Sequence, residues 1–419
     1  MKKGIVVLVV LLLAVCSTQV QAGEMDILVD MLVEKGVLNE KEAQQIEKVV
    51  RQKAQEEREQ IVKETTEQLK EERLLLADAI PEWFRNTKLK GDLRLRYEMR
   101  SRDVGSDRYR ARYRLRLGFV TKVNEKVDVG WALDSGGSDP RSTNQSMGNS
   151  FESPDIRLDM AYATYRPTSW LTLTGGKFKN PLWTPSDLLW DGDIRPEGAS
   201  AVMQGSPTAG LDLFMNANYW ILDEYKSSSQ DPAMIVLQPG YKVALGKSMY
   251  LKQSFNYYNF INEQGTTFDY SSETNSLDAD GNLLYEYDSI GTSAELGIKN
   301  PFDGVQLLAL FGEYMENLDP SDDNQGWLVG AKIGHKKVKK LHDWQFKVTW
   351  RELERDAWLD IFPNSDAYGG KTDVEGLQTG FKYGLMKNVY AAVSYYKMAR
   401  ITGESNDEDL FQVDLNFKF

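Results

Sequence analysis

The chain ends in a strict alternation. From Phe411 the apolar residues Phe411, Val413, Leu415, Phe417 and Phe419 are separated by Gln412, Asp414, Asn416 and Lys418. A period of two gives a strand one greasy and one wet face. Such a strand belongs either to a soluble sheet with its apolar face packed inward or to a membrane barrel with that face turned outward.

The other end of the sequence weighs on this choice. Lys2 and Lys3 precede an apolar run from Ile5 to Val15, and Val20-Gln21-Ala22 forms a small-residue cleavage site, so residues 1–22 read as a secretory signal peptide. Nothing after Ala22 approaches the roughly 20 apolar residues that a membrane-spanning helix needs. Cys16, the only cysteine, lies inside the signal, and Val15 before it does not fit a lipid-attachment box. The mature chain then has no disulfide or thiolate chemistry. Lys2 and Lys3 leave with the signal, so 48 basic side chains face 62 acidic ones and the net charge moves from −12 to −14. That balance offers no footprint for nucleic acid. A chain this polar can cross a membrane only if its lipid face is confined to every second residue.

Residues 23–80 read as a helical appendage. A short amphipathic helix stops at Gly36, and a second opens at Asn39, where Asn39 and Glu42 form an N-x-x-E capping pair and Leu38 sits at the staple position. The second helix runs to Pro81, and its roughly 40 residues would span some 60 Å. Pairs such as Glu47 with Arg51 and Glu59 with Lys63 support it locally. A coiled coil is one reading, although apolar positions between Arg51 and Lys70 are sparse. Spacing, self-association or a tether to the cell wall are the roles open to it.

Alternating segments fill residues 81–419. They give sixteen strands, near 86–99, 107–121, 125–134, 155–167, 169–178, 197–204, 207–220, 234–245, 247–261, 286–299, 303–317, 325–338, 341–354, 373–385, 387–400 and 409–419. Short turns alternate with longer polar loops near 135–154, 179–196, 221–233, 262–285 and 355–372, the pattern of an up-and-down barrel. The predicted fold class is all-β, a transmembrane antiparallel β-barrel of about 16 strands behind a short N-terminal α-helical periplasmic segment.

A magnitude decides which face is which. In the second strand Arg108, Arg110, Arg112, Arg114 and Arg116 share one face, opposite Tyr109, Ala111, Tyr113, Leu115, Leu117 and Phe119. Each arginine on a lipid face costs roughly 2–4 kcal/mol at the bilayer midplane. Five would be prohibitive, so the ladder faces water inside a lumen. The first strand repeats the pattern, with Lys88, Lys90, Asp92, Arg94, Arg96 and Glu98 inward. A soluble sandwich fails because a closed ring of about sixteen strands is too wide for side chains to fill. It also leaves Trp131, Trp170, Trp220, Trp327, Trp344 and Trp350 near strand ends unexplained, where a barrel would use them as interfacial girdles.

The stretches LKGDLRLRYE (89–98), RYRLRLGF (112–119), DIRLDMAYATYRP (155–167) and GGKFKNPLWTPSDLLWDGDIRPEGA (175–199) resemble the putative porin family of Gram-negative bacteria, relatives of the general trimeric porins. The resemblance implies passive diffusion of small hydrophilic solutes and ions through the outer membrane, a homotrimer embedded in lipid, and no enzymatic role or cofactor. The terminal Phe419 is similar to the aromatic read by the barrel assembly machinery. General porins fold their third external loop into the lumen, and here that loop is 179–196. Prolines stiffen it, and Trp183 and Trp190 with Leu182, Leu188 and Leu189 are apolar anchors against the wall. Asp187, Asp191 and Asp193 are expected to face the arginine ladder across the pore. Opposed charges in a narrow channel favour polar solutes. A basic ladder against an acidic loop predicts weak ion selectivity.

Other chemistry finds little support. His335 and His342 flank a predicted periplasmic turn, and no GxSxG, HExxH, phosphate loop or zinc spacing occurs. Asp319, Asp322 and Asp323 are a candidate calcium cluster but read better as solvated loop charge. The alternatives are an anion- or phosphate-type specific channel, or a structural link between outer membrane and wall.

Overall fold

The computed structural model describes residues 31, 33–37, 39–79, 81–226, 229–404 and 406–419. The expected signal peptide, the staple residue Leu38 and most of the first predicted helix lie outside them. Two compact units divide the chain, Met1–Arg85 and Asn86–Phe419.

In the first unit, α1 (Glu40–Ala79) is a 40-residue helix. Asn39 and Glu42 cap it reciprocally: the Asn39 N–H donates to Glu42 Oε2 at 3.0 Å, and the Glu42 N–H to Asn39 Oδ1 at 3.0 Å. Two orphan donors of the first turn are thereby satisfied. Pro81 follows the helix, and α2 (Glu82–Arg85) is a single turn beyond it.

The second unit is one closed antiparallel sheet. Its strands are β1 (Thr87–Arg102), β2 (Arg108–Lys122), β3 (Val127–Ser135), the two-residue β4 (Gln145–Ser146), β5 (Ile156–Tyr165), β6 (Leu171–Lys177), β7 (Glu197–Thr208), β8 (Leu211–Ile221) and β9 (Ala233–Leu245). They continue with β10 (Met249–Ile261), β11 (Ser289–Phe302), β12 (Val305–Asn317), β13 (Gln325–Gly334), β14 (Trp344–Leu353), β15 (Val374–Met386), β16 (Val389–Arg400) and β17 (Glu408–Lys418). All but β4 are staves of the wall, so sixteen strands close the barrel, each on the segment its alternation marks. β1 pairs with β17 from Asp92↔Lys418 to Arg102↔Glu408. The seam is extended by Phe419, whose N–H donates to Gly91 O at 3.0 Å and whose carbonyl accepts from the Gly91 N–H at 2.7 Å. The Phe419 ring lies where a Gly91 side chain would stand.

Period-two burial sorts the faces. Along β12, Leu307, Ala309, Phe311, Glu313, Met315 and Asn317 are buried while Leu310 and Tyr314 are exposed. The exposed face recurs around the ring as Leu95, Tyr97, Tyr109, Leu213, Tyr219, Val329, Phe346, Trp350 and Phe381. Trp220 corrects an expectation. It is 1% exposed and points inward with Asn216 and Asn218, so it belongs to the packed interior and to no girdle. Tyr219, its neighbour in sequence, takes the outer face.

At the long-loop end, the links 136–155 (L2), 178–196 (L3), 262–288 (L5) and 354–373 (L7) are the large ones, while 103–107, 318–324 and 401–407 are short. At the other end the links are turns, the longest being 335–343. There His335 Nε2 lies 3.4 Å from Asp343, and His342 Nδ1 is 2.7 Å from the Tyr383 hydroxyl. L3 leaves the wall early because β6 has only seven residues. Its root needs glycine: Gly176 (φ 113°) and Gly198 (φ 140°) face each other in register, and a Cβ on either would strike the backbone of the adjacent strand.

The exposed apolar face makes a direct test. Leu310 sits mid-strand in β12 with 57% of its surface exposed. Leu310→Arg is expected to cost roughly 2–4 kcal/mol when the protein folds into lipid vesicles. Urea titration of that reaction measures the cost, and an unchanged midpoint would mean that this face does not meet lipid.

Candidate pore interior

The basic residues of β1 and β2 share the face on which the loops lie. The register sets Arg94 against Arg114, Arg96 against Arg112, and Arg100 against Arg108. Like charges directly opposite on one face of a sheet repel, so carboxylates must come from elsewhere to hold them. Some come from the wall. Arg110 and Arg112 share Glu98, Arg114 donates to Asp92 at 2.7 Å, and Arg100 and Arg102 share Glu408. Arg96 makes a two-pronged contact with Asp414, Nε to Oδ1 at 2.7 Å and an Nη2 bond to Oδ2 at 2.9 Å. Such fork geometry is the strongest form of this pair.

The loops supply the rest. Arg116 pairs with Asp193 of L3 at 2.5 Å, and Arg96 also reaches Asp366 of L7 at 3.1 Å. Arg112 donates to Ser142 Oγ and to the Asn144 carbonyl of L2, both at 3.3 Å. The ladder side chains therefore touch three different loops. Arg108, Lys88 and Lys90 lie at the exposed ends of the same face. The Nε atoms of Arg94, Arg112, Arg114 and Arg116 are buried and have no protein acceptor.

L3 runs across the barrel on anchors from the far wall. Gln238 of β9, with no exposed surface, accepts from the Trp183 N–H at 2.8 Å and donates to the Trp183 carbonyl at 2.9 Å. The Ser186 N–H donates to Glu313 of β12 at 2.7 Å. Trp190 packs against Trp220, Tyr258, Trp358 and Phe362, with centroids 4.7–6.4 Å apart. Trp183 is half-buried beside Phe214 at 6.4 Å.

The three aspartates of this loop do not act together. Asp193 alone meets the ladder. Asp187 was expected there, but it pairs with Arg351 at 2.9 Å and Lys347 at 3.5 Å, both on β14. Asp191 was expected there too, but its carboxylate accepts from the Ser365 N–H at 2.8 Å and hydroxyl at 3.0 Å in L7. The loop crosses from the β14 side to the β2 side between residues 187 and 193, so its acids meet different partners in turn. Burial, then the charge of Asp193, pushes the Asp191 carboxyl above the ordinary range. Burial also raises Asp193, but Arg116 and Arg114 outweigh it and hold that carboxyl well below.

L7 is the element that sequence reasoning passed over as a polar loop. Ala357, Trp358, Leu359, Phe362 and Ala367 are all under 9% exposed and join L3 in one cluster. Trp358 Nε1 donates to Leu189 O at 2.9 Å, and the Asp191 N–H to Phe362 O at 2.7 Å. L5 holds L7 through Asp356, which accepts from the Ser276 N–H and the Tyr287 hydroxyl, and through Asn275, which bonds the Arg355 and Trp358 carbonyls. Arg141 of L2, 6% exposed, donates to the Tyr270 and Asp360 carbonyls and so ties L2 to both. The signal was present: AWLDIFPNSDAYGG is as greasy as NPLWTPSDLLW.

A sixteen-stranded closed barrel with a charged inner wall and inward-packed loops defines a porin-type barrel. The family model described as putative porin matches residues 39–103, 101–283 and 276–419. The chain belongs to that family. Among solved structures, Pseudomonas putida OprB superposes with a TM-score of 0.51 at 11% identity, covering 80% of this chain and 95% of that one. Salmonella typhi OmpF, in a complex with daunomycin, gives 0.50 at 12% identity, covering 80% and 97%. At such identities the likeness is one of fold. No curated protein matches the sequence. Among the described residues no group of three or more His, Cys, Asp or Glu is arranged to hold a metal ion, the Asp319–Asp323 stretch included.

Arg351, 2% exposed, is the buried half of the Asp187 anchor. Removing one partner of a buried pair costs about 3–5 kcal/mol. Arg351→Met is therefore expected to loosen L3 enough for chymotrypsin to cut near Leu188–Trp190 in folded, detergent-solubilised protein that otherwise resists. Equal resistance would mean that Asp187 does not hold the loop.

Proposed function

We propose that this protein is a diffusion pore of the Gram-negative outer membrane, passing small hydrophilic solutes and ions past a constriction between the β1–β2 ladder and the acidic residues of L3 and L7. The observation that carries the reading is the set of three like-charged register pairs, Arg94↔Arg114, Arg96↔Arg112 and Arg100↔Arg108, interrupted on that face only by Glu98↔Arg110. A wall built only for stability would avoid them. Set against Asp193 and Asp366, they create a transverse field in a narrow bore, which orders water and favours polar solutes over apolar ones of equal size. Family membership supports transport over catalysis. The proposal includes a homotrimer in outer-membrane lipid, assembled by the barrel machinery, with α1 in the periplasm as a spacer or wall contact.

Near-balance of the charges supports weak ion selectivity. Purified protein in a planar bilayer is expected to conduct small ions with slight preference for either sign; absence of conductance or strong discrimination would contradict this. Replacing Arg110, Arg112 and Arg114 together by glutamine leaves Glu98 and Asp92 without these partners and is expected to shift the reversal potential towards cations. An unmoved potential would remove the ladder from the conduction path.

A specific anion channel is the second reading, favoured by the density of guanidinium groups on the facing strands β1 and β2. Flux that saturates with phosphate would support it, whereas linear flux supports diffusion.

A further inference from the structure

On the turn side of L3, the wall from β7 to β10 carries a cavity of about 660 Å³ that the ladder and the L3–L7 cluster do not use. Trp183, Phe214, Asn216, Asp212, Lys242 and Lys252 are among its lining residues. Its size falls within the roughly 300–1,000 Å³ of small-molecule sites.

Two features give it a chemistry. The first is a pair of ammonium groups. Lys242 and Lys252 are directly opposite in register, which is unfavourable unless an anion neutralises them. The carboxylates opposite each are engaged elsewhere: Asp212 accepts from Ser206 Oγ at 2.6 Å, and Glu295 is shared by the Tyr250 hydroxyl and Lys332. Among the described residues neither lysine forms an ion pair within 4.0 Å. Instead Lys252 Nζ rests 4.3 Å from the Trp183 ring centroid and 4.9 Å from that of Phe214, and Lys242 Nζ rests 4.7 Å from that of Tyr250.

The second feature is an aromatic corner. The Phe214 ring lies across Gly240 of the next strand, where any side chain would collide with it. Lys252 Nζ stands over this ring, and both side chains line the cavity. Trp183 stands edge-on to the Phe214 ring at 77°. Its backbone is fixed by Gln238 on both sides, so the corner is preorganised.

We propose that this cavity is a subsite for small organic anions with a flat apolar or aromatic body, the carboxylate meeting Lys242 and Lys252 and the ring meeting Trp183 and Phe214. A neutral polyol would leave both charges unmatched, a cation would be repelled, and an inorganic anion would leave the rings unused. The subsite rests on the pore reading and adds a solute class to it.

Blockade of single-channel potassium chloride current by added solute tests the proposal on the full protein. Benzoate is expected to interrupt the current at lower concentration than acetate, and benzyl alcohol is expected to have no effect. Lys252→Met should raise the half-blocking benzoate concentration about tenfold, the loss expected for one charge-assisted contact, and Lys252→Arg should restore most of it. Lys242→Met is an independent second variant with the same expectation. Equal block by benzoate and acetate, or block unaltered in both methionine variants, would overturn the subsite while leaving the pore intact. A protein that never conducts would overturn the pore reading and the subsite with it.

Discussion

The interior of this barrel is organised by the repulsion within one cationic wall. Arginines of β1 and β2 meet their own kind across the register, and a fold that aligns them must bring negative charge to them. The adjacent strands deliver Asp414 and Glu408, and the loops deliver Asp193 and Asp366. Loop placement and wall electrostatics are therefore one problem. L3 and L7 are drawn inward by apolar burial on the β8–β14 side and held at the other end by guanidinium groups. The lumen becomes asymmetric, greasy and filled along one wall, charged and hydrogen-bonding along the other.

This asymmetry explains what alternation could and could not reveal. The period of two located all sixteen staves, and the cost of arginine in lipid supplies an orientation for β1 and β2. The capping pair at Asn39 and Glu42 was equally legible, because it depends on residues three apart in one helix. Trp220 was misplaced for the opposite reason. Its strand holds Asn216, Asn218 and Trp220 on one face, and a rule of polar-in, apolar-out cannot foresee that the inner face turns apolar where a loop covers it. Met234, Val236, Met315 and Leu328 have the same explanation: they are inward, almost wholly buried and packed in the loop cluster.

The loops themselves were half legible. The density of Trp, Leu and Pro in 179–196 marked a segment that avoids water, and the same reasoning applied to 354–373 would have found L7. What no local pattern contains is the path of the chain between two walls. Asp187, Asp191 and Asp193 lie within seven residues of one another, yet one binds β14, one L7 and one β2. Arg351, Ser365 and Arg116, the partners on those three elements, lie at least 77 residues away along the chain, which is why composition alone grouped the acids.

The orientation of the ladder carries the whole account, and thiol accessibility measures it most directly. With Cys16 replaced by serine, single cysteines at Arg112 and at its neighbour Tyr113 can be exposed to a charged, membrane-impermeant thiol reagent while bilayer current is recorded. The account predicts that the Arg112→Cys channel is modified and its current falls, while the Tyr113→Cys channel in lipid is untouched. Modification at 113 with protection at 112 would contradict it.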